Sequence, residues 1–283
     1  MYQLNYEFCG VPMELTAAWH IREDPLDTVF RTGDREPAIE VRLEHLPQLP
    51  EPRGKFCGVA GEKLVWREGS RVIRRTQDRF RAQPHMEVEY DVHDLSHIKV
   101  RMRQEDFLWA MRNQYLWVGM ALNQLLIYFK TLLFHASYIE YDGRGIVFTA
   151  PSQTGKSTQA ELWRKYRGAQ VVNGDKAAVS LRKPAMVHSI PFSGTSGICQ
   201  NLSVPLRAVV VLSQAPVNTI RRMGPSEAVA ALCGNVFVDQ LVQEEWSMAL
   251  NLLLDLTMSV PVYHLACTPD LRAVEALEKA LER

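Results

Sequence analysis

The sequence feature that most constrains the fold is an eight-residue segment, residues 150–157, which reads APSQTGKS. Its spacing is that of a phosphate-binding loop (P-loop), with alanine at the first position, where glycine is usual. The apolar residues 146–148 predict a strand before it, and a helix is expected from Lys156 to about Tyr166. This order directs backbone N–H groups and the positive helix end towards an anion. The segment therefore predicts an α/β domain that binds a nucleoside triphosphate, ATP above all.

Individual residues of this loop meet separate requirements of triphosphate binding. Gly155 lets the backbone approach the phosphates closely. Lys156 is expected to reach the β- and γ-phosphates, and the Ser157 hydroxyl is expected to ligate Mg²⁺. Gln153 stands where glycine is frequent, which predicts a tightened or redirected loop. The residues expected to contact the nucleotide are Ser152, Gln153, Thr154, Gly155, Lys156, Ser157 and Thr158.

A candidate acidic residue, Asp175, follows the next predicted strand, residues 170–173. A carboxylate in this position can hold Mg²⁺, directly or through water, or accept the proton of an attacking hydroxyl. The alternative is that Asn-Gly-Asp at 173–175 is only a turn. The preceding P-loop favours a functional role for Asp175. Lys176 is either a charge partner of the transferred phosphate or a solvated lysine.

The chain changes character near residue 105, and we place a domain boundary there. Residues 1–105 carry short alternating runs; residues 63–66 and 71–74, for example, flank Gly69-Ser70 as a β-hairpin. Residues 106–283 alternate strands with helices, which indicates an α/β core. We expect the smaller β-rich region 1–105 to recognise the substrate and region 106–283 to bind ATP and catalyse.

The second region begins with a long apolar segment, for which the pattern predicts one helix over residues 107–133. Part of it, residues 115–134, has the length of a membrane span, but polar residues interrupt it, which favours a buried helix. The strands predicted after it are 136–141, 145–149, 170–173, 208–212 and 262–265, and further helices are expected at 244–258 and 270–282.

Composition excludes several functional classes. Lys plus Arg and Asp plus Glu both number 32, so the net charge of zero gives no global attraction to nucleic acid or anionic membranes. The five cysteines are scattered without a CxxC pair, which argues against a disulfide framework and a zinc site. The first residues lack the features of a signal peptide. We therefore expect a cytoplasmic protein without nucleic-acid or membrane partners.

Three blocks, residues 134–137 (FHAS), 145–157 and 171–175 (VVNGD), resemble the catalytic domain of HPr kinase/phosphorylase. That domain is itself similar to the nucleotide-binding part of ATP-dependent phosphoenolpyruvate carboxykinase. The resemblance covers roughly residues 135–281. It implies a P-loop core of the HPr kinase and carboxykinase type, ATP and Mg²⁺ as cofactors, and transfer of phosphate to a hydroxyl. It also allows a homo-oligomer.

A divergent branch of HPr-kinase-like proteins with the Asn-Gly-Asp signature is a closer match, because it shares segments like residues 191–197 and 262–270. Kinases of this broad type include lasso peptide tailoring kinases, which phosphorylate the C-terminal serine of a precursor peptide. The implied partner is a peptide or protein that carries an acceptor serine. The N-terminal half does not resemble HPr kinase, so HPr itself is not the expected substrate.

One departure from the family leaves the base open. HPr kinase has two adjacent aspartates after the strand, whereas this chain has Gly174 and then Asp175. Phosphorylase activity is therefore uncertain, and the base is either Asp175 or His135. By resemblance, His135 lies near the transferred phosphate; a lone histidine after an apolar segment is otherwise more often structural.

Other polar residues are weaker candidates. Residues 193–197 either wrap a phosphate or the acceptor, or form a plain loop between strands. His93 and His97 have a metal-binding spacing only on a helix, and a turn is expected between them. Three arginines could clamp a phosphate, but each is expected to be a surface residue. They are Arg207, Arg221 and Arg222. A basic cluster in the N-terminal region indicates either a solvated strand face or an edge that binds an acidic peptide. Its members are Arg71, Arg74, Arg75, Arg79 and Arg81.

Together these features predict an ATP- and Mg²⁺-dependent kinase that phosphorylates a serine of a peptide or protein. The catalytic residues would be Lys156, Asp175 and His135, with Ser157 and Asp175 as metal ligands. One alternative is a kinase of a small molecule. The other is a nucleotide-binding regulatory protein with little turnover, in which Gly174 marks a lost acid.

Overall fold

The computed structural model describes residues 1–77, 83–107, 115–194 and 197–282. These residues form two compact units. Unit 1 contains Met1–Leu125 and Asp239–Trp246, and unit 2 contains Leu126–Val238 and Ser247–Arg283. The chain therefore leaves unit 2 for one short segment, Asp239–Trp246, that belongs to unit 1.

Unit 1 is built on one eight-stranded sheet, with the order β1-β2-β3-β8-β7-β6-β5-β4. Its strands are β1 (Tyr2–Phe8), β2 (Val11–Ala17), β3 (Ile39–Leu46), β4 (Lys55–Ala60), β5 (Lys63–Glu68), β6 (Arg71–Thr76), β7 (Met86–Asp91) and β8 (Asp94–Arg103). The pairs β2–β3 and β3–β8 are parallel, and the other pairs are antiparallel. The helices described in this part of the chain are α1 (Pro25–Thr28), a 3₁₀ turn (Gln104–Asp106), α2 (Tyr115–Gly119) and α3 (Leu122–Ile127), the last of which continues into unit 2.

Alternation of side chains explains why these segments form strands. In β3, Ile39, Val41 and Leu43 are buried, and the residues between them are exposed. A period of two places such residues on one face of a sheet. The predicted hairpin is confirmed: β5 and β6 are antiparallel, and the turn residue Gly69 has a φ of +60°, which glycine adopts without a steric penalty.

A buried cluster of charges lies inside unit 1. The fully buried guanidinium of Arg74 donates hydrogen bonds to the carboxylates of Asp239 and Glu245 and to the Tyr90 hydroxyl at 2.8 Å. Tyr90 donates in turn to Glu245, which is also fully buried. Because buried charges need paired and hydrogen-bonded partners, this cluster anchors the segment Asp239–Trp246 on strands β6 and β7.

The same contacts correct the hypothesis of a basic edge that binds an acidic peptide. Arg74 belongs to the buried cluster, and Arg75 is also buried and donates to Glu87 at 2.7 Å. These two guanidinium groups already have partners within the unit, so the hypothesis is wrong for them. Arg79 and Arg81 lie outside the described residues.

We expect Glu245→Ala to lower the free energy of unfolding by about 3 kcal/mol, because it removes one partner of a buried arginine. The matched control is Glu244→Ala, since Glu244 pairs with Arg67 but its side chain is 45% exposed. The control should change the free energy by less than about 1 kcal/mol. Urea unfolding of both variants measures the difference, and equal losses would contradict the role given to the buried cluster.

Unit 2 contains a second, mixed sheet. Its strands are β9 (Thr131–Tyr141), β10 (Arg144–Thr149), β11 (Gln170–Asn173), β12 (Lys176–Ser180), β13 (Met186–His188), β14 (Ser203–Gln214), β15 (Thr219–Arg222) and β16 (Val262–Cys267). The order is β10-β9-β12-β13-β14-β16-β15, with additional pairs β11–β9 and β10–β14. The pairs β10–β14 and β14–β16 are parallel, so the carboxyl ends of these three strands lie at one edge. The helices are α4 (Lys156–Arg167), α5 (Pro225–Cys233), α6 (Gln243–Ser259), which begins in the segment of unit 1, and α7 (Leu271–Leu281). The predicted α/β class is confirmed.

Strand β10 is buried on both of its faces. Val147 packs in one core cluster with Leu253 of α6, and Ile146 and Phe148 pack in another cluster with Trp163 of α4. A strand covered on both sides has a continuous apolar sequence. This burial holds the end of β10, where the candidate phosphate loop begins, in a fixed position.

The prediction of one long helix over residues 107–133 is wrong. The structure has two short helices, α2 and α3, and β9 begins at Thr131; residues 108–114 lie outside the described part of the chain. Ala121 and Lys130 have φ values of +55° and +56°, which an α-helix cannot accommodate. The apolar run therefore divides into two helices and a buried strand. In the described ranges, none of the helices has the length and apolar character needed to cross a bilayer.

Candidate functional site

The loop at residues 150–155 connects β10 to α4, as its sequence predicted. Gly155 precedes the helix with a φ of +115°, and Gln153 has a φ of +65°. Glycine adopts such angles freely, whereas they are uncommon for glutamine. No side chain among the described residues caps the start of α4. The first N–H groups of a helix need partners outside it, and an anion can supply them.

Lys156 is the first residue of α4, and its side chain lies against the loop. It is only 7% exposed, and its Nζ donates to the carbonyl oxygens of Ala150 at 3.0 Å and Pro151 at 3.2 Å. Burial lowers the pKa of the Lys156 ammonium below its ordinary value, although the nearby Asp175 acts in the opposite direction. To bind a phosphate, the ammonium would exchange these two carbonyl oxygens for phosphate oxygens.

Asp175 lies in the turn between β11 and β12, and Asn173 holds that turn in place. The Asn173 Oδ1 accepts hydrogen bonds from the backbone N–H groups of Asp175 and Lys176, both at 3.0 Å. Its Nδ2 donates to the carbonyl oxygens of Ile190 at 3.3 Å and Phe192 at 2.8 Å. Asn173 thus positions Asp175, a role that the sequence reasoning missed. The signal was the Asn-Gly-Asp triplet itself, because asparagine favours turns closed by its own side chain.

His135 lies between the loop and the acid. It belongs to β9, where it is the register partner of Lys176 on β12. Its Nε2 is 3.5 Å from the Ser152 Oγ, and its Nδ1 is 3.6 Å from the Asp175 Oδ1. The second distance is longer than a hydrogen bond. The structure therefore brings together three predicted site residues that come from separate segments.

The charge state of His135 follows from its surroundings. Burial, and next the positive charge of Lys156, lower the pKa of this histidine below its ordinary value. The nearby Asp175 carboxylate raises the pKa, but the first two effects are larger together. The imidazole is therefore neutral at pH 7 and has one nitrogen that can accept a proton.

Two oxygen groups near the loop fit a magnesium ion. The Ser157 Oγ donates to the carbonyl oxygen of Gly174 at 3.3 Å, which places this hydroxyl beside the turn that carries Asp175. The Asp175 side chain is 26% exposed. Mg²⁺ is held in proteins by one or two such oxygen ligands together with phosphates and water. A group of three metal-ligating side chains does not occur among the described residues, and this mode of binding does not need one.

Lys176 is held beside Asp175 and is not a freely solvated lysine. Its Nζ is 3.1 Å from the Asp175 Oδ2. The same ammonium lies 5.1 Å from the ring centre of Phe192 and 5.3 Å from that of Phe237, within the range of cation–π attraction. These contacts fix a positive charge next to the candidate catalytic carboxylate.

The segment 193–197 approaches the acid through its backbone. Gly194 has a φ of +54°, and a Cβ at this position would lie 2.6 Å from the Cβ and Cγ of Asp175. Only glycine fits there without displacing the Asp175 side chain. Ser193 is buried, and residues 195–196 lie outside the described ranges. The hypothesis that the segment wraps a phosphate or the acceptor therefore stays a prediction.

The weaker candidates have other partners. Arg207 donates to the carbonyl oxygen of Leu281 at 3.1 Å, and the exposed Arg221 pairs with Glu227. His97 lies in β8 on the unit 1 sheet, where its Nδ1 is 3.0 Å from a carboxylate oxygen of Glu40. His93 lies in the turn between β7 and β8, but residues 94–96, which were predicted to form a turn, instead begin strand β8, so this prediction is wrong. These contacts do not support roles in phosphate or metal binding.

The comparisons with known proteins give one family. No curated protein matches the chain. A solved structure of the HPr(Ser) kinase/phosphatase from Coxiella burnetii matches with 14% sequence identity over 53% of this chain and 88% of that chain, at a TM-score of 0.30. A likeness at this level establishes neither a common fold nor a common function. The family model described as "SynChlorMet cassette protein ScmC" matches residues 101–282, which is more than half of the chain, and the chain therefore belongs to the ScmC family.

Proposed function

We propose that this protein is an ATP- and Mg²⁺-dependent kinase that transfers the γ-phosphate to a hydroxyl, in particular a serine of a peptide or protein. One observation supports the proposal most strongly: His135 lies 3.5 Å from Ser152 of the loop and 3.6 Å from Asp175. A loop suited to phosphates, a proton acceptor and an acid thus occupy one place in unit 2. Phosphate transfer needs this combination of positioning and electrostatic groups.

In this proposal residues 152–158 hold the triphosphate. The uncapped start of α4 and the left-handed Gly155 offer backbone N–H groups to the phosphate oxygens. Lys156 moves from the two loop carbonyl oxygens to the β- and γ-phosphates and neutralises charge that develops during transfer. Ser157 and Asp175 would hold Mg²⁺, which supplies further neutralisation of the phosphate charge when it is bound.

The acceptor hydroxyl is activated on the other side of the transferred group. Its oxygen forms a bond to the γ-phosphorus while the bond between that phosphorus and the bridging oxygen of ADP breaks, and its proton passes to His135 or Asp175. In the tautomer that carries its proton on Nδ1, the neutral His135 has a lone pair on Nε2 for the proton of the acceptor. The Lys176 ammonium is close enough to stabilise the charge on Asp175.

Incubation with ATP labelled in the γ-phosphate and Mg²⁺ tests the proposal. The acceptors offered are serine-containing peptides, first those encoded beside the gene, each with a matched peptide in which alanine replaces serine. Label on the serine peptide alone is the expected result. Label on an added metabolite would instead support a small-molecule kinase. Tight nucleotide binding without any transfer would support a regulatory protein. Gly174 favours this alternative, because it stands where HPr kinase has the first of its two adjacent aspartates.

The pH dependence identifies the base. If His135 accepts the proton, the rate is constant near pH 7 and above. It falls as the pH drops through the pKa of His135, which lies below the usual value of about 6.5. The variant His135→Gln should lose about 10²-fold in kcat and should also lose this acidic limb. An acidic limb that persists unchanged in the variant would assign the proton to Asp175.

A further inference from the structure

A cleft of about 610 Å³ adjoins the candidate phosphate loop within unit 2. Loop residues 153–155 and the first turn of α4 form one side, and residues 214–216 and 267–269, at the ends of β14 and β16, form the other. Ligands of open α/β sheets bind outside the carboxyl ends of the strands. The volume is in the range of small-molecule sites. The cleft is thus suited to the part of a ligand that extends from the loop.

Every side chain that lines this cleft, among the residues that the structure describes, is uncharged. Even its cysteine stays neutral, because burial raises the pKa of the Cys267 thiol above its ordinary value. Ala215, Pro216 and Pro269 contribute apolar surface. The neighbouring loop, in contrast, contains the Lys156 ammonium. The cleft therefore suits a neutral, partly apolar group and not a second set of phosphates.

Gln159 is one of the residues that line this cleft, and it has an unused polar atom. The residue is 2% exposed, and its Nε2 donates to the Cys267 Sγ at 3.2 Å. Its Oε1 is buried and has no hydrogen-bond partner among the described residues. A buried carbonyl oxygen without a donor is unfavourable and rare. A ligand with an N–H group in the cleft would satisfy it.

Hydrogen bonds hold the walls of the cleft in place. The Asn218 Nδ2 donates to the Thr268 Oγ1 at 2.8 Å, and the Thr268 N–H donates to the Asn218 Oδ1 at 2.9 Å. The Gln214 Nε2 also donates to the carbonyl oxygen of Gln153, another residue that lines the cleft, at 3.4 Å. The walls are therefore preformed, which reduces the ordering cost of binding a flat group between them.

We propose that this cleft holds the base of the nucleotide, and that the Gln159 Oε1 accepts a hydrogen bond from its exocyclic amino group. Adenine carries such a group at position 6, whereas hypoxanthine carries a carbonyl oxygen there and has no amino group. The site therefore selects ATP over ITP. The inference rests on the proposed function, because the phosphates of the same nucleotide occupy the adjacent loop.

Titration calorimetry with Mg²⁺ and ATP, ITP or inorganic tripolyphosphate tests the inference. We expect the wild type to bind ATP about 10-fold more tightly than ITP, which corresponds to about 1.4 kcal/mol. In Gln159→Leu the affinity for ATP should fall to that for ITP, while tripolyphosphate binds as before. Gln170→Leu is the matched control, since Gln170 is an exposed glutamine outside the cleft, and it should leave all three affinities unchanged.

The outcomes separate this inference from the kinase proposal. Equal affinities of the wild type for ATP and ITP, with tripolyphosphate also bound, would overturn the base site alone. A preference for ATP that survives in Gln159→Leu would overturn the role of Gln159. Gln159→Met, which keeps the length of the side chain, replaces the leucine variant if that variant does not fold. Failure of the wild type to bind any of the three compounds would overturn both proposals.

Discussion

Replacing Lys156 with alanine is expected to lower kcat/KM for phosphate transfer by on the order of 10⁴-fold, or about 5 kcal/mol of transition-state stabilisation. The ammonium is positioned at the start of α4, and in the proposed mechanism it neutralises charge as the γ-phosphate leaves ADP. The two hydrogen bonds to the carbonyl oxygens of Ala150 and Pro151 are also lost. Initial rates with labelled ATP measure the loss.

Lys165→Ala is the matched control for this variant, because Lys165 is an exposed lysine of the same helix. The control should retain the wild-type rate. Thermal unfolding of both proteins shows whether the loop variant remains folded. A Lys156→Ala protein that is folded and fully active would remove the phosphate loop from the proposed mechanism.

The second large effect is expected for Asp175→Asn. This change keeps the size of the side chain and its packing against Gly194 but removes the charge. We expect kcat to fall by on the order of 10³-fold, because either a proton acceptor or a metal ligand is lost. The free energy of unfolding should change much less, since the side chain is partly exposed and its turn is held by Asn173.

Two further measurements make the Asp175 prediction specific. The Mg²⁺ concentration that gives half-maximal rate should rise in Asp175→Asn if the carboxylate holds the ion, and it should stay constant if the carboxylate only accepts the proton. Asp255→Asn, at an exposed position of α6, is the control and should behave like the wild type. Unchanged turnover in Asp175→Asn would exclude this residue from the site.

The parts of the fold that could be predicted are those whose sequence pattern lies within a few neighbouring residues. The strand before the loop, the helix after it and the hairpin at Gly69 are confirmed, because each depends on residues that are adjacent in the chain. The long helix over 107–133 was predicted wrongly. A short apolar run has no periodicity that separates a buried helix from a strand buried on both faces, and the run that opens β9 is of this kind.

The arrangement of the candidate site could be predicted only in part. Spacing along the chain identified the loop residues and Asp175, and the Asn-Gly-Asp triplet was a signal, not used, that Asn173 holds the turn. No local signal indicated that the Gln159 Oε1 lacks a hydrogen-bond partner among the described residues. Nor did the spacing indicate that Arg74 pairs with a segment far away in sequence. These features depend on which residues from distant parts of the chain pack together in the folded protein.

By itself, the sequence determined the order of a strand, a loop and a helix around residues 150–157. The spacing of apolar residues and the positions of glycines set local secondary structure, and both can be read within a few residues. Only the tertiary structure decided that His135 lies next to both Ser152 and Asp175. The register of β9 against β12 sets that contact, and the pairing of distant strands depends on how the whole sheet buries its apolar side chains.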